Sequence, residues 1–530
     1  MEARDSKNKL QELDEMTRQK IEKSLPLFFY VLPLIHILIA LPLAYYLNIW
    51  ADEGSTLYTT ENGFFQTLQN VFQDEKQAPL YFLILSLWRE VNHSIFFARI
   101  FSVICSVISI TVFFKIVRKF WNEKTAFFTA FFFAVHPYLV FVSLEIRVYA
   151  LIVLLSLLLI KLFLDGYLER RKIELDQKRK IRNRQILFVV TAIFSLYTNY
   201  YLGFLLVGFF IVLIVLRRWP AVRTYFWQML LAGLAILPLI WLIKMQFEVN
   251  TGGHFQATDW LEGLKLLWNH YLTFVLPTEI YTPENQTLIS FIRLWLVRFG
   301  TFLIVVLLIY KRKIYEGKVA IFGVLSITVF AFLYSAYFLL SELYVEIRHA
   351  AVWFTSVCFL LTAAVSDVLP TKKTRKGTYI VWGIAAFLAV FYVYGIYSLY
   401  PAGVKRGDWQ RIAAYIEKNE KPDQSIIVYS NYEALNLPYY YQGENKILPQ
   451  ENFFKWNYEA EFGSPETWKE QIEYVISVIP KDKNEIWLVT EEGCQTTKAC
   501  EPLEKFVESN YTIIDTKDFY KERVRLLKRK

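Results

Sequence analysis

The chain has 530 residues, 55% of them hydrophobic and 18% aromatic, with a net charge of +9 and a positive mean hydropathy. The apolar residues gather in long runs between about residue 25 and residue 400 and then stop, which excludes an ordinary soluble globule. The basic residues sit in short loops between those runs, a pattern of membrane topology and not of nucleic-acid binding.

Residues 1–24 are polar and mixed in charge, and read as a cytoplasmic segment with no cleavable signal. Apolar runs at 26–49, 95–116, 125–142, 149–164, 225–246, 291–310, 319–340, 349–367 and 379–400 predict membrane spans. The run 79–91 is too short to cross and ends in charge. As a span it would also carry the basic loop 117–124 to the outside, so it is predicted as an interfacial or re-entrant helix. The long run 186–216 has basic flanks on both sides and is broken by Tyr197-Thr198-Asn199-Tyr200-Tyr201, which predicts two short helices turning at Asn199.

These readings give a polytopic α-helical membrane protein of about eleven spans with a cytoplasmic N-terminus. The basic loops 117–124, 165–185, 217–224, 311–318 and 370–378 then all face inside. Residues 25–400 form the membrane body, with a first external loop at 50–94. The soluble tail at 401–530 falls on the extracytoplasmic side.

The predicted outer face holds several charged groups at span ends, where an ionised side chain needs a partner or a function. Asp52 and Glu53 follow the first span and could serve as a general base or as a simple stop signal. Lys76 lies just before Pro79, which opens the short helix, so a cation and a helix N-terminus would both favour a phosphate there. Glu145 and Arg147 stand two residues apart in an apolar hairpin, as an ion pair or a site. Arg348 opens the next-to-last span; its planar fork suits phosphate oxygens, although snorkelling to the interface would also place it there. The histidines at 136, 254, 270 and 349 lack metal-ligand spacing, so no metal site is predicted and a divalent cofactor is unsupported.

In the tail, the patterns at 408–418, 465–478 and 500–509 are helical, and 425–430, 485–490 and 511–515 read as strands, giving a small α/β domain. Cys494 and Cys500 share one polar loop and could pair in an oxidising compartment. Cys105 and Cys358 fall within spans as packing residues.

In this order the motifs resemble the GT-C superfamily of polyprenyl-phosphate-sugar-dependent glycosyltransferases, nearest the protein O-mannosyltransferase and aminoarabinose-transferase branch. The resemblance rests on Asp52-Glu53, Pro79-Leu80-Tyr81, Arg99-Ile-Phe-Ser102, Ser143-Leu-Glu145-Ile-Arg147-Val-Tyr149-Ala150, Tyr197-Thr198-Asn199-Tyr200, Arg348 and Gly407-Asp408-Trp409. It implies a catalytic base at Asp52, with Glu53 beside it, and a donor phosphate held by Lys76, Arg147 and Arg348. Glu145, Tyr149, Asn199 and Tyr81 would meet substrate. The donor would be a polyprenyl-phosphate-linked sugar in a cell-envelope (plasma or inner) membrane, and the acceptor a lipid, a glycan or a protein. Displacement at the anomeric carbon would invert its configuration. The chain departs from the family at Gln77-Ala78, where His-Pro is common, at Asn199, where His is common, and at His349, where Tyr follows the late Arg. The rival reading is a transporter or flippase of lipid-linked saccharides, but such proteins carry repeats and midplane polar groups that this sequence does not show.

Overall fold

The computed structural model describes residues 30–73, 75, 77–168, 175–251, 259–276, 295, 299, 316–340, 345–366, 375–400, 403–430, 432–455, 465–491, 494 and 500–530. The predicted span 291–310, apart from residues 295 and 299, and the predicted phosphate ligand Lys76 lie outside the described residues.

The helical body begins with α1 (Tyr30–Tyr46), and the chain then turns 85° into α2 (Ala51–Thr59). Next come α3 (Gly63–Gln73) and α4 (Leu80–Arg89), the short helix predicted at 79–91. The charge at the end of α4 does not face solvent. Arg89 folds back to donate to Leu57 O at 2.5 Å and Thr60 Oγ1 at 2.7 Å.

Helix α5 (Ile95–Phe120) starts where the Ser94 hydroxyl accepts from Phe97 N, an N-cap that satisfies an orphan donor. Its 26 residues span roughly 39 Å, enough to cross a bilayer. The apolar run 125–142 is two helices, α6 (Glu123–Ala134) and α7 (Pro137–Ser143), bent by 55° where Pro137 starts the second. Helix α8 (Tyr149–Phe163) is buried nearly all round, packed against α5 and against helices that follow later in the chain.

Helices α9 (Leu175–Thr198) and α10 (Leu202–Val215) break at the predicted turn, where Asn199 Oδ1 accepts from Tyr201 N at 2.9 Å. The body continues with α11 (Trp219–Ala235), α12 (Leu237–Thr251) and α13 (Trp260–Val275), then α14 (Glu316–Leu339), α15 (Ala351–Ser366) and α16 (Arg375–Leu399). Among the described residues three helices are long and apolar enough to cross alone, and up to six crossings result if each bent pair is one span. The chain is a multi-pass membrane protein; the count of eleven rests partly on helices too short or too bent to pass alone.

The basic loops 117–124 and 165–185 meet at one end of the body, where Asp165 pairs with Lys119 at 2.5 Å and Lys161 at 3.1 Å. The C-terminal domain covers the opposite end.

That domain is a five-stranded sheet in the order β2-β1-β3-β5-β4. β1 (Ser425–Val428) runs parallel to β2 (Lys446–Leu448) and β3 (Glu485–Glu491), while β5 (Glu522–Arg529) is antiparallel to β3 and to β4 (Tyr511–Asp518). Alternation sends Ile427, Ile486 and Leu488 to one face, under α18 (Pro465–Ser477) and α19 (Glu501–Asn510), and Ile426, Val428 and Trp487 to the other, under α17 (Trp409–Asn419). A disulfide joins Cys494 and Cys500. The predicted strands and helices are present; β2 and β5 were not predicted, β2 being very short and β5 being half Lys and Arg.

Candidate active site

Asp52 lies in the first turn of α2, at the end of the body that faces the C-terminal domain. Its Oδ2 accepts a 2.5 Å hydrogen bond from Arg348 Nη1 and stands 3.8 Å from Arg147 Nη2. Arg147 also donates to Asp52 O at 3.2 Å and to Thr56 Oγ1 at 2.8 Å, so the hairpin between α7 and α8 is tied to α2. Arg348 reaches Glu346 at 3.0 Å. Burial works to raise the Asp52 carboxyl, but Arg348, Arg147 and Arg406 outweigh it and hold the group below the usual carboxylate range.

The indole of Trp50 underlies this cluster, with Arg348 5.0 Å and Arg406 4.3 Å from its ring centre. Its Nε1 donates to Glu145 Oε2 at 2.8 Å.

Glu53 faces the other way. It is fully buried, 3.1 Å from Arg99 and 2.8 Å from Lys405, and its Oε1 accepts from Ile146 N at 2.8 Å. Lys405 bridges on to Glu145 at 2.9 Å. Two carboxylates and two cations therefore neutralise each other beneath Asp52. Each buried charge has a partner, as the low dielectric demands. Arg99 also donates to the carbonyls of Ala44, Leu47 and Asn48, which fixes the end of α1. The sequence motif singled out Arg99 without a role, and Lys405 carried no signal, because its partners lie far away in the chain.

A third carboxylate, Glu75, is buried nearby and accepts from Thr59 Oγ1 at 2.9 Å. Burial pushes its carboxyl above the usual range. It sits next to Lys76 in sequence, which could have suggested it.

The remaining predicted residues spread around this core. Tyr149 packs edge-on against His349, with ring centres 6.0 Å apart. His349 also meets Tyr201, 6.3 Å away, which brings the turn containing Asn199 to the rim, although the Asn199 side chain is used within that turn. Tyr81 is buried against Phe82 and Phe101. The C-terminal domain also reaches in, since Tyr432 lies with its hydroxyl 3.5 Å from Asp52 Oδ1. Tyr432 went unpredicted, and nothing local in the sequence marks it. Among the described residues no group of three His, Cys, Asp or Glu converges as a metal site.

The arrangement offers one ionised carboxylate in a largely buried cluster of guanidinium groups, held on a closed ionic support. Such a site can take a proton from a hydroxyl and can hold a phosphate.

Comparison with known proteins agrees with the architecture. Residues 76–241 match the family model described as dolichyl-phosphate-mannose-protein mannosyltransferase. No curated protein matches the chain by sequence. Apo ArnT from Cupriavidus metallidurans is similar in structure with a TM-score of 0.57 at 12% identity, over 96% of this chain and 98% of that one. The same ArnT bound to undecaprenyl phosphate gives 0.54 at 11% identity, over 95% and 98%. A C-terminal sheet domain on a body of apolar helices, matched over nearly the full length of both chains, is the fold of that ArnT, and this chain shares it.

Proposed function

We propose that the protein is a membrane glycosyltransferase that moves a sugar from a polyprenyl-phosphate donor to an acceptor hydroxyl on the extracytoplasmic face. The observation that carries this reading is the convergence of Arg348 and Arg147 on Asp52 from parts of the chain far apart in sequence. The similarity to an ArnT that binds undecaprenyl phosphate supports the choice of donor.

Asp52 is the base. The acceptor oxygen attacks the anomeric carbon from the face opposite the phosphate, the bond from that carbon to the phosphate oxygen breaks, and configuration inverts. Arg348 and Arg147 stabilise the negative charge that builds on the leaving phosphate. Lys76 is assigned to the same phosphate, and Tyr149 and the Asn199 turn to the rim of the donor site. Glu53 is a positioning residue and not a second base, because Arg99 and Lys405 enclose it. Glu145 acts likewise through Trp50.

The test is Asp52→Asn in membranes supplied with labelled polyprenyl-phosphate sugars. Transfer should fall by at least about 10²-fold with insertion and expression intact. Full activity in that variant removes Asp52 as the base.

A further inference from the structure

We propose that the C-terminal domain supplies one wall of the acceptor site, and that the acceptor hydroxyl belongs to a pyranose ring seated against Tyr58, Phe454 and Phe453. This rests on the reading of Asp52 as the base.

The two oxygens of Asp52 face different parts of the molecule. Oδ2 meets the guanidinium groups of Arg348 and Arg147, which is the donor-phosphate side. Oδ1 faces Tyr432, in the C-terminal domain. From Tyr432 a continuous lining of rings leads away from the carboxylate. Tyr432 packs edge-on against Phe454 with centres 6.0 Å apart, Phe454 meets Tyr58 at 5.7 Å, and Tyr58 meets Phe453 at 5.7 Å. Tyr58 comes from α2, the helix that carries Asp52; the other three rings come from the C-terminal domain.

These rings are not explained by core packing. Tyr58 is 37% exposed, and Tyr432, Phe453 and Phe454 are half-buried. Only Phe453 also packs on a hydrophobic core of the domain. The contact between domain and helix is tight by construction. A Cβ on Gly54 would lie 2.4 Å from Asn436 Oδ1 and 3.5 Å from Leu435 Cβ, so a bare α-carbon there lets the turn Glu433–Leu435 settle on α2 beside Asp52.

The chemistry favours a sugar. A pyranose has apolar C–H faces and a rim of hydroxyls, and flat aromatic walls ending in phenolic hydroxyls match both. A peptide would want main-chain partners, as in strand addition, and the lining offers side-chain rings instead. With the ring stacked there, the acceptor hydroxyl points to Oδ1, its proton passes to Asp52, and its oxygen forms the new bond to the anomeric carbon as the phosphate leaves with the old bonding pair.

The experiment uses the full chain in nanodiscs and saturation-transfer NMR, with methyl α- and β-hexopyranosides as probes beside a Ser/Thr-containing peptide. Wild-type protein should saturate the pyranoside C–H protons. Phe454→Ala and Tyr58→Ala should weaken that signal about fivefold, while Phe454→Trp keeps it. Native mass spectrometry should show undecaprenyl phosphate bound equally by all of them, which establishes that the variants are folded. A pyranoside signal absent from wild type, or equal in wild type and Phe454→Ala, overturns the proposal, as does saturation of the peptide alone. Failure of wild type to bind undecaprenyl phosphate is a different result and overturns the donor reading instead.

Discussion

Arg348 donates a 2.5 Å hydrogen bond to Oδ2 of Asp52 across 296 positions of sequence, so the group assigned to donor phosphate also holds the group assigned as base. Without donor, this pairing keeps Asp52 ionised and a poor base. When a phosphate arrives it competes for Arg348 and Arg147, and the Asp52 carboxylate becomes more basic at the moment a proton has to be taken.

That competition predicts two different acid limbs in one enzyme. The limb of kcat/KM reports Asp52 in the free protein, and the limb of kcat reports it with donor bound. The kcat limb should lie at higher pH. Coincident limbs across a titration from pH 4 to pH 8 would show that donor leaves the Arg348–Asp52 pair untouched.

Arg348→Met predicts a shift in the free protein itself. Arg348 lowers the Asp52 carboxyl, so its removal raises that group and leaves more of it protonated at mildly acidic pH. The acid limb of kcat/KM should therefore move to higher pH, and kcat should fall roughly 10²-fold through lost phosphate stabilisation. A pH profile unchanged in position would separate Arg348 from the base.

Lys405→Met leaves Glu53 and Glu145 facing each other in a dry interior without their shared cation. Removing one partner from such a network costs on the order of 3–5 kcal/mol. The melting temperature of the purified protein should drop by several degrees, and protease should release the C-terminal domain at lower concentration. An unchanged melting curve would mean that Arg99 alone suffices for Glu53.

Gly54→Ala places a methyl against Asn436 and should cost about 1–3 kcal/mol by overpacking, with transfer reduced and donor binding retained. Asn436→Ala in the same chain opens that space again. Recovery of activity in the double variant is the measurement that matters, since a general folding defect would add and not cancel.

Glu522 gives the C-terminal domain a pH dependence of its own. Burial, followed by Glu433, raises its carboxyl to about 9, while Asp408 N donates to it at 3.0 Å. A carboxyl raised in the folded state costs nothing below its unfolded value near 4.5. The cost then grows as pH climbs to about 9 and stays constant above. Glu522→Gln should therefore stabilise the protein at pH 8, by up to about 5 kcal/mol, and have little effect near pH 4.5. Thermal melts at the two pH values decide it.

The architecture was legible because its causes are local. Apolar runs, basic loops and the break at Asn199 each lie within a short window, as do the alternating strands at 425–428 and 485–491. Asp52, Arg147 and Arg348 stood out because charge at the edge of an apolar run is conspicuous, and the structure gathers these three together. Glu53 and Glu145 stood out for the same reason, yet they turn into a closed ionic support, because burial direction depends on Arg99 and Lys405, which only the fold brings near. Tyr432 was illegible for a related cause: an aromatic in a soluble domain looks ordinary until its neighbours are known.

Lys405 is bound by residues near both Asp52 and Arg147, and Tyr432 adds the last contact to Asp52. Since a ribosome makes the chain from its N-terminus, every helix through Leu399 can enter the bilayer before either residue has been released for folding. The ionic support beneath Asp52 is thus completed only after the helices are in place, and a product truncated after the last helix would be embedded without it.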